Sequence, residues 1–327
     1  SHFVGSYRFF NTEPDSYHKN ICENDNSLAL LAEQGCRRIL LAGDMINDTG
    51  DLVRLANAVG RVDALKVPCH GERAVPQEVT YNFMPVFDWT RTQLDKAAED
   101  GSTSLVMYWE QLKGLDPLKE DIHLPGWDSS YTQDEVRELI KQYSELGEEG
   151  LWENIEYFLK KVIPVAESCG IVMALHPDDP PYPIFGLPRV ITCEENIDRY
   201  LSIVDSPSNT LCFCTGSLGC SPKNDIPAMV RKYSEMNRIG FMHLRNVRIL
   251  PDTSFEESGH LSREGSLDMN AIVKALVETG FTGYFRPDHG RMIWGETGKP
   301  GYGLFDRALG SAYINGLIEA NGGKIEY

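Results

Sequence analysis

The sequence predicts an α/β fold, a (β/α)8 barrel spanning residues 1–327 as one domain. Three observations carry that expectation. Short apolar runs alternate with helix-spaced segments along the chain, which is the signature of βα units and a parallel sheet. Eight such runs can be picked out. Four of those in the second half each end in a residue able to bind a metal: Ile171-Val-Met-Ala-Leu-His176, Leu211-Cys-Phe-Cys214, Ile239-Gly-Phe-Met-His243 and Gly283-Tyr-Phe-Arg-Pro-Asp288. In such a barrel the C-terminal strand ends converge on the face that carries active sites.

From the N-terminus, strands are expected at Val4–Phe10, Arg38–Ala42 and Leu65–Cys69, separated by helical patterns at 27–35 and 51–60. A fourth strand fits 78–83. The stretch from 85 to 147 is too long for a simple βα loop and reads as an insertion over the barrel mouth. It holds Trp89, Trp109, Trp127, many turn residues and a helix at 133–145. The helix at 149–169 aligns Leu151, Ile155, Phe158, Leu159 and Val162 and stops at Gly170. Its Pro164 lacks a backbone donor and predicts a kink. Strand 171–175, helix 194–204, strand 210–214, helix 225–236 and strand 239–243 follow. The helix at 268–279 puts Ile272, Leu276 and Val277 on one side and ends at Gly280, a C-terminal cap. Strand 283–287 and helix 304–321, spaced through Leu304, Ala308, Ala312 and Leu317, complete the set. One spacing does not fit. Only about eight residues separate Cys69 from Glu78, whereas a crossover between parallel strands takes about a dozen or more. Either the third strand lies elsewhere or a helix expected there is absent from the sequence.

The composition is that of a globular chain, 42% hydrophobic and 24% charged. A net charge of −17 argues against a nucleic-acid partner and against an anionic membrane surface. An anionic small molecule would need a local positive site to overcome that field. No apolar run reaches membrane-spanning length, and the N-terminal residues show no basic region followed by an apolar one. The eight cysteines include no CxxC pair and read as reduced thiols in a cytoplasmic protein.

Taken singly, each strand-end residue is a weak signal. A histidine closing an apolar run is more often a hydrogen-bonded core residue, and a strand cysteine a small buried one. Four at one structural position on successive strands point to a shared divalent ion. Thiolate and imidazole suit zinc, iron or cobalt, while the carboxylate also suits manganese. Arg245, Arg286 and Arg291 lie near strand ends and either bind a carboxylate or pair with a neighbouring acid. Asp178 and Asp179 either orient ligands or cap the loop after His176.

Several longer words resemble the mannonate dehydratase family. They are Tyr81-Asn-Phe-Met-Pro-Val-Phe-Asp-Trp-Thr-Arg91, Leu124-Pro-Gly-Trp127, His176-Pro-Asp-Asp-Pro-Pro181 with Ile184-Phe-Gly-Leu-Pro-Arg189, and Cys214-Thr-Gly-Ser217. The others are His243-Leu-Arg-Asn246, Arg286-Pro-Asp-His-Gly-Arg291 with Trp294-Gly295, and Pro300-Gly-Tyr-Gly303. The likeness runs from about Val79 to about Ala320. It implies a (β/α)8 barrel related to xylose-isomerase-like barrels, and the dehydration of D-mannonate to 2-keto-3-deoxy-D-gluconate. It implies Mn2+ or Fe2+ held by residues matching His176, Cys214, His243 and Asp288, and proton transfer through His289 and Tyr302. A small sugar-acid substrate is expected to meet Arg8, Arg245, Arg286, Arg291 and His260, the last because Ser258-Gly-His-Leu-Ser262 is similar to a family word. A homodimer is compatible with this reading. The first 78 residues depart from the family pattern: Tyr7-Arg8-Phe9-Phe10 only loosely echoes its opening word. Two other readings stay open, a metal-dependent sugar isomerase or epimerase on the same barrel and a non-catalytic relative.

The chemistry sets a geometric requirement. His289 follows Asp288, and neighbours on a strand point to opposite faces. Both serve one site only if the chain bends, which Pro287 and Gly290 favour. Tyr302 sits between Gly301 and Gly303, in a loop able to bring a phenol over the site.

Overall fold

The structure is a computed structural model of the chain. It describes residues 6–11, 28–34, 37–41, 64–66, 78–81, 94–114, 133–184, 186–297 and 301–325. Strands β1 (Ser6–Asn11), β2 (Leu28–Gln34), β3 (Arg37–Leu41) and β4 (Ala64–Lys66) form one sheet in that order. The β1–β2 and β2–β3 pairings are antiparallel, and β3–β4 is parallel. The run expected as a helix at 27–35 is therefore a strand. Short Ala/Leu-rich runs fit either period, and here backbone pairing on both sides decides. The register places Gln34 opposite Arg37. The expected helix at 51–60 and the Cys69-to-Glu78 spacing lie outside the described residues.

The parallel sheet begins with β5 (Glu78–Tyr81). Then come β6 (Leu94–Ala97), β7 (Thr103–Met107), α1 (Trp109–Gly114) and α2 (Gln133–Ser168). Gly147 breaks α2 with φ 68° and ψ −176°, so it is two arms that match the expected helices, with Pro164 inside the second. Beyond it lie β8 (Val172–Leu175), α3 (Glu194–Ile203), β9 (Asn209–Cys214), the short α4 (Thr215–Gly219) and α5 (Ile226–Glu235). The remainder is β10 (Ile239–Leu244), β11 (Val247–Ile249), β12 (Phe255–Glu257), α6 (Met269–Glu278), β13 (Tyr284–Pro287) and α7 (Leu304–Ala320).

Strands β13-β10-β9-β8-β5 form one all-parallel sheet, five consecutive staves of an α/β barrel. β9 is buried along its whole length, as expected of a parallel strand covered on both faces. Alternation sorts the side chains. Leu175, Leu211, Phe213 and Met242 join Ile155, Leu159 and Ile163 of α2, Met229 and Val230 of α5, and Ile272 of α6 in the main core. Ala174, Cys212 and Phe241 form a separate small cluster. Asp225 and Asp268 cap α5 and α6 by accepting from the Ala228 and Ala271 N–H groups, each worth about 1 kcal/mol.

A second, antiparallel sheet runs β11-β12-β7-β6. Its β7 also trades two backbone hydrogen bonds of 2.9 Å between Thr103 and Met292, four residues past Asp288. Among the described residues, no helix is long and apolar enough to cross a membrane.

Candidate metal centre and active site

Strand parity builds the site. Counting by two from Ala174, Cys212 and Phe241 gives His176, Cys214 and His243, which share the face of the small cluster rather than the helix-packed one. The Phe241 and His243 rings touch edge to face, with centroids 5.1 Å apart. The donor atoms of His176, Cys214 and His243 all lie within 4.8 Å of one another. Asp288 Oδ2 is 3.7 Å from His243 Nδ1 and 3.9 Å from Cys214 Sγ. Donors at 2.0–2.4 Å from one ion sit roughly 3–4 Å apart; His176, Cys214 and His243 are gathered to near that spacing, and Asp288 reaches it against two of them, His243 and Cys214. His176 Nδ1 lies 2.7 Å from the Pro177 carbonyl. A carbonyl only accepts, so this nitrogen carries the proton and Nε2 is left as the donor to a metal. Cys214 Sγ accepts from the Ser217 N–H at 3.5 Å. A soft thiolate, two imidazoles and a carboxylate suit a first-row divalent ion.

The electrostatics keep the acid ionised. Burial pushes the Asp288 carboxyl up, but His289, His243, Arg286 and Arg245 outweigh it and hold it well below the usual carboxylate range. Asp179 follows the same logic: burial raises it, while Arg245 and His289 bring it below its ordinary value. Asp178 differs. Its Oδ2 accepts from the Val190 and Ile191 N–H groups at 2.6 and 2.8 Å, so it ties down the loop, and burial leaves its carboxyl raised.

β13 ends at Pro287, so strand alternation does not govern the next two residues. Asp288 and His289 both reach the site, with His289 Nε2 3.6 Å from Asp288 Oδ2. The Tyr302 and His289 rings lie 5.3 Å apart, tilted by 33°. The loop carrying Tyr302 is pinned by a 2.9 Å bond from the Gly290 N–H to the Gly301 carbonyl. Gly301 adopts φ 78°, and a Cβ on Gly303 would strike the Arg291 carbonyl, so both glycines are required for this close seating.

The arginines are not equivalent. Arg245 is fully buried, with Nη1 2.7 Å from Asp179 Oδ2 and Nε 3.0 Å from Glu257 Oε2, while Nη2 meets Glu257 Oε1. Burial opposes its charge, and the two carboxylates hold it charged. Arg286 Nη2 lies 3.1 Å from Asp288 Oδ1. Arg291 Nη2 pairs with Asp306 and Glu264 at 3.1 and 3.2 Å. His260 is buried against Gly310 of α7, and burial holds its imidazole below the ordinary value despite Asp306 and Asp288 nearby. Arg8 lies on β1, and its side chain is outside the described residues. Sequence reasoning missed Glu257. It is fully buried on β12, 3.2 Å from His289 Nδ1, on a strand too short to show a period.

Residues 73–325 match the family model described as D-mannonate dehydratase (UxuA). The chain is 53% identical over 242 residues to a mannonate dehydratase of Streptococcus uberis, covering 74% of this chain and 70% of that one. It is 53% identical over 249 residues to one from Oceanobacillus iheyensis, covering 76% and 70%. Among solved structures, the crystal structure of mannonate dehydratase from Streptococcus suis serotype 2 superposes with a TM-score of 0.69 at 45% identity. That superposition covers 84% of this chain and 72% of that one.

Proposed function

The chain belongs to the D-mannonate dehydratase family, and from that premise we propose that it removes water from D-mannonate to give 2-keto-3-deoxy-D-gluconate through the residues gathered at its strand ends. The reaction takes the proton from C2, next to a carboxylate, and expels the 3-hydroxyl. The enediolate in between carries two negative charges and forms readily only where they are offset. A divalent ion held by His176, Cys214, His243 and Asp288 supplies that Lewis-acid stabilisation when bound. Its identity as Mn2+ or Fe2+ is our reading, supported by the mixed hard and soft donor set.

The chain's own proton carriers are His289 and Tyr302. His289 stands next to Asp288 with the Tyr302 ring beside it, and one general acid and one general base are what the dehydration needs. Arg286, partly exposed and paired with the single carboxylate of Asp288, offers a guanidinium for an anionic substrate, in a molecule whose overall field repels one. Arg245 and Arg291 are each held between two carboxylates, Asp179 with Glu257 and Glu264 with Asp306, which supports a bracing role for them. Arg8 on β1 remains a candidate for substrate contact. All four metal donors come from a single chain, so the ion site needs no second copy.

The observation that carries this reading is the meeting of His176, Cys214 and His243 from three strand ends within 4.8 Å of one another, with Asp288 beside two of them. The test is to supply D-mannonate with Mn2+, Fe2+, Co2+ or Zn2+ in turn and to assay for a 2-keto-3-deoxy acid. Metal-dependent product is expected, with Mn2+ or Fe2+ most effective. Metal-loaded protein that forms no product from D-mannonate overturns the reading.

A further inference from the structure

We propose that Glu257 is a positioning residue that keeps the proton of His289 on Nδ1 and so makes Nε2 the nitrogen that exchanges a proton with substrate. The consequence for turnover rests on the function proposed above; the tautomer itself does not. Glu257 closes β12, where ladder pairing with Val247 fixes its backbone. Its carboxylate is fully buried and engaged by Arg245 at both oxygens. Oε1 is also 3.2 Å from His289 Nδ1.

Arg245 is itself immobile. Asp179 holds it at 2.7 Å, and its backbone N–H donates to Thr215 Oγ1 at 2.8 Å. A Cβ on Gly216 would collide with its aliphatic stem. A carboxylate gripped in this way cannot rotate to follow the imidazole, so the imidazole must follow the carboxylate. An ionised carboxylate only accepts hydrogen bonds, so the ring nitrogen facing it is the one that carries hydrogen. Nε2 then points toward the donor cluster; Asp288 Oδ2 there is the longer contact, 3.6 Å against 3.2 Å for Glu257 Oε1, and would be committed to an ion held by that cluster. The ring is not turned for a straight hydrogen bond to Glu257 here, and such contacts commonly tighten when substrate binds. The frame also registers on the metal site. Asp179 lies three residues after His176, and Arg245 two residues after His243. One chain of contacts, Asp179–Arg245–Glu257–His289, therefore ties the proton carrier to the strand ends that supply the donors.

The test begins with Glu257→Gln. Arg245 retains the amide oxygen, which turns the NH2 toward Nδ1 and drives the ring proton to Nε2. We expect kcat to fall ~10²–10⁴-fold, as for a lost or mistautomerised base, with metal content unchanged and KM changed by no more than about threefold. Glu257→Asp should recover part of the loss. In a His289→Asn background, Glu257→Gln should cost nothing further, because the residue acts through His289. Multiplying penalties, loss of metal, or normal turnover by Glu257→Gln would each overturn the proposal. An activity-independent readout is 15N NMR of histidine-labelled, Zn2+-loaded protein, with His289 assigned by its absence in His289→Asn. Nδ1–H is expected in the parent and Nε2–H in Glu257→Gln. A parent that makes no product but shows this switch refutes the dehydratase reading alone. An active parent whose tautomer does not move refutes the role of Glu257.

Discussion

A histidine or cysteine at a strand end gains meaning from its parity and from the acid that meets it. His176, Cys214 and His243 share the face of Ala174, Cys212 and Phe241, and Asp288 joins them from just past β13. Replacing Cys214 with Ser swaps a soft donor for a hard, weakly acidic one. It should weaken metal binding and shift selectivity away from softer ions, as read by metal titration; unchanged affinity and selectivity would remove Cys214 from the donor set. His289→Asn and Tyr302→Phe should keep the metal and lose ~10²–10⁴-fold in turnover, since neither is among the gathered donors; normal turnover in either variant would clear that residue of a proton-transfer role. The donor register could be read from the sequence because period-two alternation projects a residue onto a face without any tertiary information. Glu257 could not. Its partners His289 and Arg245 meet it only through the β11–β12 ladder and the loop after β13, and a three-residue strand carries no period to read.

Helix α7 shows how an element is seated through its glycines. A Cβ on Gly310 would stand 2.6 Å from His260 Nδ1 and 2.7 Å from His260 Cγ, whereas one on Gly316 would meet nothing within 4 Å. Gly310→Ala should therefore destabilise by ~1–3 kcal/mol through overpacking, and Gly316→Ala should stabilise by up to ~1 kcal/mol through helix propensity and the stiffer unfolded chain. Urea unfolding midpoints measure both, and a common sign would mean that α7 packs by another face. Elements with a long periodic pattern and a cap, such as α5, α6 and the two arms of α2, were legible to within a residue or two. β2 was not. Its seven residues are too few to separate the periods, and what makes it a strand is pairing with β1 and β3, which sequence spacing does not display.

For the molecule as a whole, a bound ion adds stability by mass action, about 2.7 kcal/mol at a hundredfold excess over Kd. Chelation should therefore lower the melting temperature and abolish turnover together, with Mn2+ or Fe2+ restoring both; a melting temperature indifferent to metal would show that the donors do not share an ion. The barrel was legible from strand–helix alternation after about residue 79, the same part of the chain that the family model matches from residue 73. Before it, strand-like runs could not be assigned to one sheet, because which strands pair is a long-range property. The spread of the donors, from residue 176 to residue 288 with whole helices in between, has a kinetic consequence. No short peptide can chelate the ion early, and capture must wait until β8, β9, β10 and β13 stand in register. A contact absent from the folding transition state leaves the folding rate alone and slows unfolding. Stopped-flow refolding should run at the same rate with or without metal, while escape from the native state slows in step with occupancy: the ion acts as a latch that closes last and must open first.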